Sequence, residues 1–212
     1  MTVTALILAA GRSRRMGYPK AFLEHDGEPL ICRIVRIALA AGVAEAVVVI
    51  GTEDDPALAS RRTALSLLSA RGLANPAHVT LACGEPDLQP IASIRAGLRA
   101  ARSGDAMLLW PVDHPFATVE LVRDLLAALD APSRIVRPTV TGRGGHPVLF
   151  GAAVVPELCD PIADQGAHAV VHRDPARLIC IPAVDVRLVA ALNTPDQAAS
   201  LGIARPALRH GP

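Results

Sequence analysis

The chain has 212 residues, of which 51% are hydrophobic, and a formal net charge of +1. That is enough apolar chain for one domain with a sizeable core, and it excludes a disordered polypeptide. Near-neutral charge and only one Trp, one Tyr and three Phe argue against nucleic acid as a partner.

No run approaches about 18 uninterrupted apolar residues, so no membrane partner is expected. Charge follows the first apolar run rather than preceding it, unlike a secretion signal. Cys32, Cys83, Cys159 and Cys180 lie far apart with no C-x-x-C pair. That usage predicts reduced thiols and a cytoplasmic protein, not a disulfide framework or a zinc site.

The run Thr2–Ala10 has the length and β-branched content of a buried strand. It empties into a loop holding Gly11, Gly17 and the cations Arg12, Arg14, Arg15 and Lys20. Lys20 is the one lysine in a chain otherwise supplied by arginine. Glycines let backbone amides approach a ligand, and clustered cations beside such amides suit a polyphosphate. Neither the Walker A spacing nor the dinucleotide fingerprint G-x-G-x-x-G is present. A solvated basic turn after a strand is the competing reading of these residues.

Pro29-Leu30 opens a predicted helix to about Ala41, with Leu30, Ile34, Ile37 and Ala41 on one face, ended by Gly42. Ala46–Ile50 reads as a second buried strand. There follow a helix from about Pro56 to Arg71, a short strand Val79–Ala82 and a helix Ile91–Arg102. The strand Met107–Trp110 ends at Pro111-Val112-Asp113-His114-Pro115. A helix Val119–Leu129 and a strand Ser133–Pro138 complete an alternation that predicts a parallel α/β sheet.

From Gly142 the texture changes. A turn-rich loop Gly142–Pro147 leads into the strand Val148–Phe150. Short helices are expected near Ala152–Cys159 and Ala167–His172, then a strand Leu178–Ile181 and a helix start at Asn193-Thr194-Pro195-Asp196. The reading is a single domain over residues 1–203, in two parts, 1–140 and 141–203. Residues 204–212 are expected to form a disordered tail.

Open α/β sheets bind ligands beyond the carboxyl ends of strands where strand order reverses. If the first strand and Met107–Trp110 are neighbours there, Asp113 faces the same crevice as the glycine loop. An aspartate beside phosphates suits Mg²⁺, whereas aspartate before a turn can simply cap it. His168 and His172 have i, i+4 metal-ligand spacing but no third ligand nearby, and read as surface helix residues.

Leu8, Ala10, Gly11, Ser13, Arg15, Met16, Gly17 and Lys20 match L-x-A-G-x-S-x-R-M-G-x-x-K, a pattern that resembles the signature of the MobA-like nucleotidyltransferases. The best-known members of that family attach CMP or GMP to molybdopterin. The resemblance covers about residues 3–202. It implies a three-layer α/β/α Rossmann-like nucleotidyltransferase fold (GT-A-like) with a mostly parallel central sheet. It also implies nucleotide contacts from Leu8, Ala9, Ala10, Gly11, Arg12, Ser13 and Lys20, and from Gly84 and Ser93. Catalytic roles fall to Lys20, Arg15 and Asp113.

Val112-Asp113-His114-Pro115 looks like the family's metal-binding D-x-P segment, although glycine is common where Val112 stands. Asn193 matches a second metal-facing position; Ala191 departs from an acidic one, and Asn193 as a plain helix cap is the alternative. Gly144–Phe150 resembles the G-H-P-V-L-F segment of the molybdopterin cytidylyltransferase branch. Asp164-Gln165-Gly166-Ala167 resembles its G-D-x-G-A segment, with Ala163 where the leading glycine would be. These place acceptor contacts at His146, Asp164 and Gly166.

The implied reaction takes an NTP, CTP favoured over GTP, with Mg²⁺, and transfers NMP to a phosphate-bearing acceptor such as molybdopterin, releasing pyrophosphate. A molybdoenzyme would then receive the cofactor. A sugar-1-phosphate or other phosphometabolite nucleotidyltransferase, or a non-catalytic cofactor-delivery protein, are the alternatives.

Overall fold

The structure is a computed structural model that describes residues 1–51, 61–85, 89–102 and 104–206. Its elements in chain order are β1 (Val3–Leu8), β2 (Glu24–His25), β3 (Glu28–Pro29), α1 (Leu30–Ala40), β4 (Glu45–Ile50), α2 (Arg61–Ser69), β5 (Val79–Cys83), α3 (Pro90–Ala100) and β6 (Ala106–Pro111). There follow α4 (Val119–Ala127), β7 (Ile135–Val140), β8 (Arg143–Gly144), β9 (Val148–Phe150), α5 (Ala167–Arg173), β10 (Leu178–Pro182), α6 (Pro195–Ser200) and β11 (Ile203–Ala204).

The central sheet runs β10-β7-β9-β6-β1-β4-β5. β1 pairs in parallel with β4 on one side and β6 on the other, so Leu8 stands opposite both Val49 and Pro111. β4 is buried along its whole length, as a central parallel strand covered on both faces must be. β9 alone of the central strands runs antiparallel to its two neighbours, β6 and β7.

The pleat sends alternate residues to opposite faces. Ala5, Ile7, Val48, Trp110 and Val136 pack with α1, α2, α4 and α6. Leu6, Val47, Val49, Leu109 and Ile135 pack with α3, α5 and the 3₁₀ turn Val155–Cys159. The result is the three-layer α/β/α arrangement, and no helix among the described residues is long and apolar enough to cross a membrane. The chain winds outward through β4 and β5, then returns to place β6 on the other flank of β1. That reversal opens a crevice at the carboxyl ends of β1 and β6.

β4 begins one residue earlier than the hydrophobic run suggests, at Glu45, which is 2% exposed. Its carboxylate accepts from Thr80 Oγ1 at 2.8 Å and from Arg102 Nε and N, both at 3.0 Å, so the buried charge is matched and ties β4, β5 and the end of α3 together.

Several expectations shift. The segment near residues 152–159 is a five-residue 3₁₀ helix with Pro156 in its first turn, not an α-helix. The strand expected from Ser133 starts at Ile135, because Arg134 N closes a turn on Ala131 O. Of the helix expected from Pro56, the part before Arg61 lies outside the described residues.

Residues 204–206, expected within a disordered tail, belong to the described structure. Ile203–Ala204 pair with β2 in a small sheet β11-β2-β3, and Ile203 is 2% exposed. Arg205 then reaches back to the loop after β1. Its guanidinium donates to Met16 O at 3.1 Å and Gly17 O at 3.3 Å, and lies 5.5 Å from the Tyr18 ring. One buried isoleucine anchors the segment, and a single apolar residue leaves no periodicity to read. Residues 207–212 lie outside the described ones.

Gly97 lets α3 lie directly on the sheet: a Cβ there would come within 2.1 Å of Leu6 Cδ1 and 2.8 Å of Val49 Cγ2. Gly97→Ala is therefore expected to destabilise by about 1–3 kcal/mol in urea unfolding, despite alanine's better helix propensity. Arg205→Ala is expected to speed amide hydrogen exchange in residues 11–20 while lowering global stability by only about 1 kcal/mol; unchanged loop exchange would show that Arg205 does not hold the loop.

Candidate active site

The loop after β1 is shaped by its own backbone. Ala9 N bonds to Val49 O at 2.8 Å, so the chain leaves the sheet in register with β4. Ser13 takes the left-handed conformation (φ 48°), and its carbonyl accepts from Met16 N at 2.8 Å and Gly17 N at 3.0 Å. Its hydroxyl accepts from Lys20 N at 3.2 Å and lies 3.4 Å from Gly11 O. Met16 plugs into the core at 2% exposure, and Gly17 at φ 63° turns the chain back. A short 3₁₀ turn, Lys20–Phe22, buries Ala21 and Phe22 and leaves Lys20 at the mouth of the crevice.

β6 delivers the second component. Val112 N bonds to Leu8 O at 3.0 Å, and Trp110 Nε1 donates to His114 O at 2.8 Å, which fixes the turn carrying Asp113. The backbone of Asp113 accepts from Leu192 N at 3.1 Å, which brings in the segment before α6.

Three distant parts of the chain therefore meet. Lys20 Nζ lies 3.0 Å from Asp113 Oδ2 and 3.4 Å from Asn193 Oδ1, and Arg15 NH2 lies 3.3 Å from the same Asn193 oxygen. Asp113 uses its carboxylate on this cation. Asn193 is not the helix cap: Thr194 caps α6 in a capping box with Gln197, which frees the asparagine oxygen for the site.

These groups stand at one side of a cavity of about 330 Å³. Leu8, Ala9, Ala10, Gly11, Ser13, Lys20, Ser93 and Asp113 line it, together with Glu85, Pro90, Pro111 and Val112. Gly84 lies packed against the wall: a Cβ there would come within 2.9 Å of both Ala10 Cβ and Ser93 Oγ. Arg12 belongs to the same loop, and Arg15 sits at Asn193; neither side chain is part of the lining. Glu85 was missed by sequence reasoning, since a lone acidic residue beside Gly84 carries no spacing signal.

Two hard oxygen donors converging on one cationic position fit a divalent ion of the Mg²⁺ type, which takes one or two protein oxygens and completes its shell with water and phosphate. No cluster of three His, Cys, Asp or Glu side chains exists among the described residues, so any metal here depends on substrate oxygens.

Of the residues assigned to an acceptor, His146 lies beside this site, outside the cavity lining. Its ring stands 4.5 Å from that of His114, the neighbour of Asp113. Burial, then the adjacent His114, pushes the His146 pKa down to about 4. Burial also lowers His114, against the opposing pull of Asp113 and the Leu188 carbonyl. Asp164 instead pairs with Arg95 of α3 at 2.8 Å, and Gly166 (φ 97°) makes the turn into α5. His168 and His172 stack 4.1 Å apart on exposed helix surface with no third ligand among the described residues.

The model of the MobA-like NTP transferase domain matches residues 5–178. The chain is 38% identical over 133 residues to a molybdenum cofactor guanylyltransferase of Rhodobacter capsulatus, covering 62% of this chain and 61% of that one. It is 32% identical over 167 residues to a 2-C-methyl-D-erythritol 4-phosphate cytidylyltransferase of Corynebacterium efficiens, covering 77% of this chain and 58% of that one. The chain thus spans about three fifths of the length of these two relatives. A solved nucleotidyl transferase from Methanothermobacter thermautotroptrophicus has the same fold, with a TM-score of 0.72 at 22% identity over 95% of this chain and 96% of that one. With the match running from β1 to the start of β10, the chain belongs to the MobA-like NTP transferase family.

Proposed function

We propose that the chain is a nucleotidyltransferase that moves NMP from an NTP to a phosphate-bearing acceptor and releases pyrophosphate. A molybdopterin-type acceptor is preferred, with CTP as first donor and GTP as second. The observation that carries this reading is the convergence of Lys20, Asp113 and Asn193 at the rim of the cavity lined by the Ala9–Ser13 backbone.

The reaction is in-line attack of an acceptor phosphate oxygen on the α-phosphorus; the new P–O bond forms as the bond to pyrophosphate breaks. A phosphate monoester is anionic at neutral pH, so no general base is required. The work left to the protein is positioning and charge neutralisation. The amides of the loop after β1 hold the triphosphate. Lys20 and Arg15 offset charge growing on the α-phosphate and the leaving pyrophosphate. Asp113 and Asn193 would hold the divalent ion, which when bound neutralises and orients the phosphates. His114 and His146 stay neutral and bring no extra cation beside Asp113.

The acceptor then lies over the second half of the chain, with His146 nearest the chemistry, while Asp164 is held by Arg95 and Gly166 serves the turn into α5. The resemblance of Gly144–Phe150 to the cytidylyltransferase segment supports CTP, while the guanylyltransferase relative keeps GTP in view. The second relative acts, by its name, on a different phosphorylated compound, which supports a second reading: another phosphometabolite as acceptor.

The test is divalent-cation-dependent pyrophosphate release with each of the four NTPs, with and without molybdopterin. Release that needs molybdopterin and one NTP is the expected result; NTP binding without release would favour a different acceptor. Asp113→Ala is expected to abolish nearly all turnover in a folded protein, and Lys20→Met to raise the barrier by about 2–4 kcal/mol. Wild-type rates in either variant would overturn its assigned role.

A further inference from the structure

Most partly buried arginines among the described residues face a carboxylate: Arg33 lies near Glu28, Arg95 meets Asp164, Arg134 meets Asp130, and Arg177 meets Glu157. Arg137 does not. It sits inside the central sheet, between Val136 and Pro138 of β7, and no described carboxylate pairs with it. Its Nε is buried without a hydrogen-bond partner among the described residues, and so are Thr139 Oγ1 and His146 Nδ1. Three unpartnered buried polar atoms in one place are costly unless something supplies the missing bonds.

The fold puts them together. Arg137 and Thr139 are two residues apart, so both share the sheet face of Ile135, the face covered by α3 and α5. Gly145 N bonds to Pro138 O at 2.8 Å, which brings His146 alongside β7. Arg137 lies within electrostatic range of both His146, in the turn before β9, and His172, on α5. The His146 ring touches that of His114, next to Asp113. β7 runs in the same direction as β6, since both are antiparallel to β9, so Thr139 and Asp113 approach the same edge of the sheet.

Gly144 makes room for this arginine. A Cβ at residue 144 would come within 2.5 Å of Arg137 Cζ and NH1, so any larger residue would push the guanidinium away.

We propose that Arg137, with Thr139 and His146, forms an oxyanion site that receives a phosphate-class group of the acceptor, separate from the loop that holds the nucleotide. A planar guanidinium with a hydroxyl beside it is the donor set that a phosphate takes. His146, whose one N–H is engaged by the Leu109 carbonyl, lines the site without adding charge, so the donors are Arg137 and Thr139. The assignment rests on the nucleotidyltransferase reading and gives Arg137 and Thr139 a role in acceptor choice.

The test uses the full chain saturated with Mg²⁺ and a non-hydrolysable NTP analogue, into which inorganic phosphate is titrated by calorimetry. The wild-type protein is expected to take up phosphate. Arg137→Met should weaken that uptake by about tenfold or more, with Arg137→Lys in between. Gly144→Ala should weaken it too, by displacing the guanidinium while leaving Arg137 present. Affinity for the analogue should stay within about twofold throughout, since the variants spare the loop.

Wild-type phosphate affinity in Arg137→Met or in Gly144→Ala would overturn the proposal. So would parallel loss of analogue binding in a folded Arg137→Met, which would mark a general structural role. A wild-type protein that binds the analogue but no phosphate overturns the oxyanion site and leaves the nucleotidyltransferase reading standing. One that binds no NTP overturns that reading as well.

Discussion

The contact between Lys20 and Asp113 joins the two strands on either side of the strand-order reversal. Their side chains are 15% and 26% exposed, so the pair is screened less than a surface ion pair and is not buried deeply enough to suffer full desolvation. Everything needed to form it is set elsewhere. The β1–β6 register places Leu8 opposite Pro111, and the Val112–Leu8 hydrogen bond extends that register past the end of the sheet. Leu192 N on the Asp113 carbonyl then brings Asn193 to the same ammonium. A slip in any of the three segments would leave cation and oxygens apart.

The loop after β1 reaches its shape by means other than those of the better-known nucleotide loops. Its turn is made by Ser13 in the left-handed region and by Gly17, rather than by a run of glycines. The serine carbonyl and hydroxyl bind the loop to itself, and Met16 fastens it to the core. Arg205 adds a clasp from the far end of the chain. Such fastening matters because donors act on a developing charge only to the extent that they are already in place.

Beside the crevice stand two desolvated imidazoles, and β7 carries a guanidinium with no carboxylate partner among the described residues. His114 and His146 are desolvated into neutrality, so Asp113 meets Lys20 rather than competing imidazolium charges. The relatives act, by their names, on chemically different acceptors within one fold. That is the usual division between a scaffold and the site placed on it. On the proposed function, differences in acceptor would fall to the residues around β7, β8 and α5, and nucleotide binding to β1, β6 and their loops.

The sequence by itself determined the α/β class, most strands and helices, and the glycine- and cation-bearing loop after β1. Those depend on local properties: buried β-branched runs, helical periodicity, and a long motif ending in the sole lysine. It also singled out Asp113 and Asn193 but left each with a capping alternative, because residue type and position before a turn fit both roles. Only the tertiary structure removed the capping alternatives, by giving the cap of α6 to Thr194 and the Asp113 carboxylate to Lys20. The two-residue strands β2, β3 and β11, the Arg205 clasp, and Arg137 beneath Gly144 were likewise invisible in the linear chain. Each depends on one or two residues meeting a partner far away in sequence, and a contact of that kind has no period, composition or spacing until the sheet has brought its two sides together.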